Sequence, residues 1–464
     1  MNNTAAIKDF KVRNKTYYKD LESLRKLLVP SGKRILEIGC GVGDLLNNLE
    51  PSYGVGVEQN KLSVEEANKK NSNLKIIQAN PEDITPELIN ENKAFDIIII
   101  NNTLNTISDV QGLLEKLEAF SHRNTRLIIT YHNWLWQPIL KFAEKIGQRE
   151  PQPPESWLTP GDIKNLLDIS GWEVLKEGNR CLIPRKIPFI TRFSNKWLSQ
   201  LPIFERLGLT HWMVARLNKR EPIDATVSVI IPARNESGNI YSAIERMPKL
   251  GSSTEVIFIE GHSTDNTWEE IERVCSNYDG FLKLSKFKQK GKGKADAVWL
   301  GFEKANGDIL IILDADLTVR PEDLNRFVKS LVEGHGEFIN GCRLVYPRTN
   351  EAMPLLNTMA NRFFATVFSW LLRQRLKDTL CGTKVLWNKD YQDIKEGRKY
   401  FGDFDPFGDF DLLFGASKLN LKISEVPIRY QERTYGTSNI AHIKEGFILA
   451  KMCIVAARKL RFIE

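Results

Sequence analysis

No run in this 464-residue chain approaches the roughly 20 apolar residues needed to carry a helix across a bilayer. The closest, GFILAKMCIVAARK (446–459), contains Lys451 and is too short. The opening residues, MNNTAAIKDFKVRNKTYYKD, are polar, so no signal peptide is expected. Cysteine is sparse as well. The six (Cys40, Cys181, Cys275, Cys342, Cys381 and Cys453) are scattered, without a CxxC pair. That argues against a disulfide framework or a zinc cluster and suits a reducing cytoplasm. Neither sign of charge is missing: 65 Lys and Arg stand against 58 Asp and Glu, a formal net charge of +7. So mild an excess suits an anionic small-molecule partner or a membrane surface without selecting one, and no nucleic acid partner is expected.

What is present is a soluble-protein composition, 42% apolar and 27% charged, in a chain too long for one ordinary core. RILEIG (34–39), YGVGVEQ (53–59), LKIIQAN (74–80), FDIIIINN (95–102) and RLIITYH (126–132) read as strands separated by amphipathic segments. This alternation predicts a parallel α/β sheet covered by helices. WEVLKEG (172–178) reads as a further strand, and the basic, aromatic stretch to Asn218 as an embellishment of the same domain. The charged segment 219–225 reads as a linker between domains 1–218 and 226–464. A second alternation then begins: VSVIIP (227–232), EVIFIE (255–260), FLKLSKF (281–287), ILIILDAD (309–316) and EFINGCR (337–343).

LEIGCGVGDLL places Gly39, Gly41 and Gly43 at the first strand-to-helix turn, where backbone can approach a ligand and a helix N-terminus favours negative charge. Glu58 closes the second strand, where a carboxylate can accept ribose hydroxyls. The E-x-G-x-G-x-G of Glu37 to Gly43, with Glu58, resembles class I S-adenosylmethionine-dependent methyltransferases over about residues 15–180. The resemblance implies a Rossmann-like sheet and S-adenosylmethionine as cofactor. It places the adenine contact on Asn80, with Asp83 as the rival. A hydroxyl acceptor would also need a base, for which His132 and Tyr131 are candidates; Asn101 and Asn102 either shape the pocket or cap a helix.

In GDILIILDADLTVRPEDL (307–324) an apolar strand delivers Asp314 and Asp316 to one spot, where open α/β sheets place ligands. Two carboxylates so close repel, and a divalent cation gripping a diphosphate would relieve them. Glu236 after the first strand, Glu260 and Asp265 after the second, and lysines 288, 290, 292 and 294 surround that edge. PARNE (232–236), D-x-D at 314–316 and STDNT (263–267) together resemble family 2 glycosyltransferases, in particular their dolichyl-phosphate mannosyltransferase-like branch, over about residues 226–440. The resemblance implies a GT-A-type sheet and Mg2+ or Mn2+ on Asp314 and Asp316. It assigns the nucleotide-sugar donor to Pro232, Arg234, Glu236, Glu260, Asp265, Lys294, Asp314 and Asp316. NGCR (340–343), KDTLCGTK (377–384), GDFDLL (408–413) and RTYGTSN (433–439) match further segments of the branch. From these, Arg343, Lys384, Arg433 and Ser438 would hold an acceptor phosphate, and Asp409 or Asp411 would serve a hydroxyl acceptor as base.

The expected function is thus bifunctional: metal-dependent inverting transfer of a sugar to a polyprenyl phosphate or glycan, with Asp316 central to it, plus methyl transfer to a related substrate. Two alternatives stay open, a glycosyltransferase with a non-catalytic S-adenosylmethionine-binding scaffold, and a sugar nucleotidyltransferase. Segments 357–378 and 446–462 read as amphipathic helices that either lie on the inner face of the cell membrane or pack on the domain core.

Overall fold

The structure is a computed structural model that describes residues 14–149, 156–218, 223–346, 355–400, 408–429, 435 and 442–463, without the side chains of 355–360, 399 and 442–447. The chain forms two compact units, residues 1–220 with 460–464 and residues 221–459. Both are α/β, each built on one seven-stranded mixed sheet.

In the first unit the strands are β1 (Arg34–Ile38), β2 (Tyr53–Glu58), β3 (Leu74–Gln78), β4 (Phe95–Asn101), β5 (Ser121–His132), β6 (Trp172–Arg180) and β7 (Thr210–Leu217). Their order is β3-β2-β1-β4-β5-β7-β6, and β7 runs antiparallel to both its neighbours. Because side chains alternate along a strand, Ile98 and Ile100 of β4 enter one core cluster while Ile97 and Ile99 enter another. Strands buried on both faces read as unbroken apolar runs, which is why β4 and β5 are so plain in the sequence. The stretch read as an embellishment is corrected here. Residues 210–217 are wholly buried and wedge between β5 and β6.

The second unit holds β8 (Val227–Ala233), β9 (Thr254–Glu260), β10 (Lys283–Lys288), β11 (Ile309–Ile312), β12 (Phe338–Cys342), β13 (Lys384–Trp387) and β14 (Ile423–Pro427). The order is β10-β9-β8-β11-β13-β12-β14, with β13 antiparallel to β11 and β12. β11 is shorter than its apolar run: it stops at Ile312, and Asp314 and Asp316 lie on the loop and turn beyond it. Helix Leu355–Leu372 packs Phe368, Leu371 and Leu372 into the core, with the Phe368 ring stacked 5.4 Å from that of Phe414. Phe363 of the same helix is exposed. Among the described residues no helix is long and apolar enough to cross a membrane.

The position of β7 is directly testable. Met213→Asp would place an unpaired charge in the middle of the first sheet and is expected to destabilise that unit by several kcal/mol, on the order of 3–5. Denaturant melts measure this; a change of about 0.5 kcal/mol or less would place residue 213 on the surface.

Candidate functional sites

Each sheet reverses direction of build at its first strand, between β1 and β4 and between β8 and β11. Ligands of open α/β sheets bind beyond the carboxyl ends of strands at such a switch point. In the first unit that place is the turn 39–43. A Cβ at Gly39 would collide with Thr103 Oγ1, so this glycine is required by packing. Gly41 differs: it sits at φ +57° and a Cβ there would meet nothing within 4 Å, leaving open space for a ligand. Gly43 initiates the short helix Asp44–Asn47. Glu58 faces the turn and accepts the Gly41 N–H at 2.9 Å and the Asn60 N–H at 2.8 Å. A carboxylate has about four acceptor positions, so capacity remains for two ribose hydroxyls. The residues present therefore fit the nucleoside of S-adenosylmethionine.

Glu37 is not part of that surface. It is fully buried and paired with Arg25 of helix Lys15–Leu28 at 3.0 Å, anchoring β1 from beneath. Asn80 caps the turn Pro81–Asp83 with its side chain, and Asp83 is exposed. Tyr131 points into the core with its ring 4.9 Å from that of His211, which removes it as a candidate base. Asn101 accepts from Thr130 Oγ1 at 3.1 Å, and Asn102 donates to Tyr17 Oη at 2.9 Å. His132 ends β5 with Nε2 3.4 Å from Tyr17 Oη and Nδ1 3.5 Å from the Arg149 guanidinium. Arginine can only donate, so Nδ1 accepts and Nε2 carries the proton. Burial, and secondarily the Arg149 charge, push the His132 pKa down to about 3. No motif marks Tyr17, Arg25 or Arg149, so their roles here emerge only from the fold.

In the second unit the loops after β8 and β9 are laced together. Asn235 Oδ1 accepts the Thr264 N–H at 2.8 Å, the Glu236 N–H reaches Thr267 Oγ1 at 2.9 Å, and Asp265 accepts from Thr267 N at 3.1 Å. Burial opposes the charge of Asp265, but hydrogen bonds from Thr267 and Ser237 outweigh it and lower its pKa. Glu236 accepts from Asn239 at 2.7 Å and Glu260 from the Ser263 N–H at 2.5 Å, so these carboxylates shape the loops. Pro232 is half-buried near the end of β8, and Arg234 is exposed just beyond it. Register places Ala233 beside Glu260 and Glu260 beside Lys288, so the three strand ends share one edge.

Asp314 lies at the same edge with Lys294, at the start of helix Lys294–Lys304. The ammonium is 2.8 Å from Asp314 and 3.5 Å from Asp409, at the start of helix Asp409–Lys418. A Cβ at Gly382 would collide with both Asp314 and Lys294, so glycine there lets the pair form. Burial alone would raise the Asp314 pKa, yet Lys294, then Lys384 and Arg343, hold it low. Burial would lower that of Lys294, and Asp314 and Asp409 hold it high. The repulsion inferred from the D-x-D pair is thus offset by a lysine. Asp316 is buried and accepts the Thr318 N–H at 3.1 Å and hydroxyl at 2.8 Å. Lys288 leans over Trp268 at 4.3 Å, and Lys290 and Lys292 are exposed.

Among the described residues no three His, Cys, Asp or Glu side chains converge as a metal cage. Asp314 and Asp316 still fit a hard divalent cation, because Mg2+ commonly takes one or two carboxylates and completes its shell with water and phosphate. Asp411 is corrected: it turns away to Arg398, 3.0 Å distant, while Asp409 faces Lys294. Lys384 is also corrected. It is fully buried, donates to the Cys381 carbonyl, and reaches the site only through its field. Arg343 forks onto buried Asp378 at 2.7 and 2.8 Å, and Asn361 donates to the same carboxylate at 2.9 Å. Arg433 and Ser438 lie outside the described residues.

The depressed pKa of His132 sets a titration. An ordinary histidine gains its proton near pH 6.5. His132 should stay neutral across pH 5–8, so folded stability contributed by its neutral form is lost only as pH falls from about 6.5 toward 3. NMR of the ring resonances checks this; a midpoint near 6.5 would contradict the desolvated, Arg149-facing environment of the ring.

The two halves match different known families. Residues 30–167 match the family described as Methyltransferase domain and residues 228–394 that described as Glycosyl transferase family 2. Dolichol-phosphate mannosyltransferase of Pyrococcus furiosus is 34% identical over 110 residues, 23% of this chain and 30% of that protein. Undecaprenyl-phosphate 4-deoxy-4-formamido-L-arabinose transferase of Pseudomonas aeruginosa is 31% identical over 121 residues, 25% of this chain and 35% of that protein. The chain thus spans about a third of the length of these curated relatives. A solved S-adenosylmethionine-dependent methyltransferase of Thermotoga maritima covers 47% of this chain and 96% of its own at 16% identity and a TM-score of 0.35. The chain is a methyltransferase domain followed by a family 2 glycosyltransferase domain, two enzyme families in one polypeptide.

Proposed function

We propose that the second unit transfers a sugar, with inversion, from a nucleotide-diphosphate donor to a polyprenyl phosphate or glycan, and that the first methylates a related substrate. The observation that carries the reading is the convergence of Asp314, Lys294 and Asp409 from three elements at the sheet's switch point. The names of the two curated relatives, both transferases of polyprenyl phosphates, support the acceptor class. A nucleotidyltransferase reading is not favoured, because no glycine-rich phosphate loop follows β8.

The residues have distinct parts in this reading. Lys294 fixes the Asp314 carboxylate and brings positive charge toward a leaving diphosphate. Mg2+ or Mn2+ bound by Asp314 and Asp316 would supply further neutralisation of that charge. Asp409 is the carboxylate placed to take a proton from a hydroxyl acceptor; an ionised lipid phosphate needs none. Arg343 and Lys384 add a favourable field for an anionic acceptor without touching it. In the first unit, Glu58 and the turn 39–43 would hold S-adenosylmethionine, which supplies an electrophilic methyl group. The Arg149 guanidinium on His132 favours a second reading for this unit, a domain that binds the methyl donor without turnover.

Two substitutions test the assignment in the full chain. Asp316→Ala is expected to lower metal-dependent donor cleavage by at least about a thousandfold with folding intact; near-native cleavage would refute its role. Gly41→Val is expected to abolish methyl-donor binding by calorimetry while leaving sugar transfer unchanged. A turnover assay on the parent protein separates catalysis from binding alone.

A further inference from the structure

The first unit turns apolar side chains outward at the edge that bears its ligand site. Two insertions leave that edge, residues 133–149 after β5 and 181–209 between β6 and β7. Thr210 pairs with both His132 and Arg180, so both insertions emerge on the side of Gly41 and Glu58. They are tied to each other. Trp136 Nε1 donates to the Leu207 carbonyl at 2.8 Å, and Asn133 donates to the carbonyls of Arg206 and Gly208 at 2.9 Å.

In helix Gln137–Lys145, Leu140 packs inward beside Trp136 on the cluster of Tyr17, Cys181 and Leu209. Ile139, Phe142 and Ile146, spaced i, i+3 and i+7, share the opposite face and are each more than half exposed. Helix Ile190–Lys196 is inverted. Its polar Thr191, Ser194 and Asn195 are buried, and Asn195 bonds both the N–H and the carbonyl of Ile183 at 2.8 Å. Phe189, Ile190 and Phe193 face outward, Phe189 at 93% exposure. Phe189 is also held at φ +59°, a conformation that bulky residues rarely adopt. A helix that satisfies its polar groups inside and presents aromatic ones outside is matched to surroundings less polar than water.

Charge identifies those surroundings. Across residues 134–149 and 181–207 there are eight Lys and Arg and only two acids, Glu144 and Glu205. Lys141, Lys145, Arg185 and Lys186 are exposed beside the apolar side chains. Aromatic and aliphatic groups ringed by cations bind the interface of a bilayer that carries anionic lipid, through burial at the headgroup level and attraction to the surface charge.

We propose that the first unit docks on an anionic membrane surface through this face. The inference goes beyond methyl transfer. Resting on that reading, it adds that the methyl acceptor is presented at the lipid surface, beside Gly41 and Glu58.

Flotation of the full chain with vesicles tests it. Binding is expected to phosphatidylcholine vesicles containing phosphatidylglycerol, to weaken with added salt, and to be at least about tenfold weaker on phosphatidylcholine alone. The Phe142→Ser, Phe193→Ser double variant should keep its melting profile and lose at least about tenfold in partition. Lys141→Glu with Lys186→Glu should do the same on anionic vesicles. Undiminished flotation of both double variants overturns the proposal, placing membrane affinity elsewhere in the chain. So does a parent that ignores vesicles, or one whose face joins two copies, seen as a dimer that the phenylalanine variant abolishes. Calorimetry with S-adenosylmethionine on the same samples tests the methyl-donor reading separately.

Discussion

The second unit is organised around one ammonium group. Lys294 lies within 2.8 Å of Asp314 and 3.5 Å of Asp409, carboxylates from segments about a hundred residues apart in the chain. Without it, half-buried Asp314 and buried Asp409 would lose their shared counter-ion, which would favour a proton on one of them. With it, helix Lys294–Lys304, the loop after β11 and helix Asp409–Lys418 are pinned at one point of the sheet edge. Gly382 completes the arrangement by having no side chain to obstruct it. Another ion pair, Arg343 on Asp378, ties the residue after β12 to the segment 378–384 that leads into β13.

Both sheets use the same construction and differ in the side chains at the edge. The order third-second-first-fourth strand recurs in each, and the ligand edge lies where the direction of build reverses. What differs is the loop chemistry: glycines facing a single carboxylate in one, carboxylates facing a lysine in the other. Architecture alone therefore does not separate the two families; side chains at the strand ends do.

Much of this was legible beforehand because central parallel strands are buried on both faces and must be written in isoleucine, leucine and valine. β4 and β11 follow that rule through their buried runs, and β1 and β8 follow it apart from buried Glu37 and Ser228. β7 did not stand out, since THWMVARL mixes polar and apolar residues at positions that are all buried. Arg216 there is neutralised by Glu173 of β6 at 3.0 Å, a long-range pairing with no local trace. β13, four residues long, is too short to carry a periodic signal. At the sites, spacing pointed to Gly41, Glu58, Asp314 and Lys294, and the structure places each pair together at the edge of its sheet. Spacing failed to separate Asp409 from Asp411, or to see that Lys384 and Glu37 are buried, because those outcomes depend on partners (Lys294, Arg398, Cys381, Arg25) that only tertiary structure supplies.

The antiparallel seventh strand has a consequence for how the first unit comes into being. Until Thr210–Leu217 leaves the ribosome, β5 and β6 have no shared neighbour, and the hydrogen-bonding edge of a largely apolar sheet stands open. Completion of that unit must therefore wait for nearly all of its sequence, and a nascent chain halted before residue 210 would present a sticky, unclosed edge to whatever chaperone attends it.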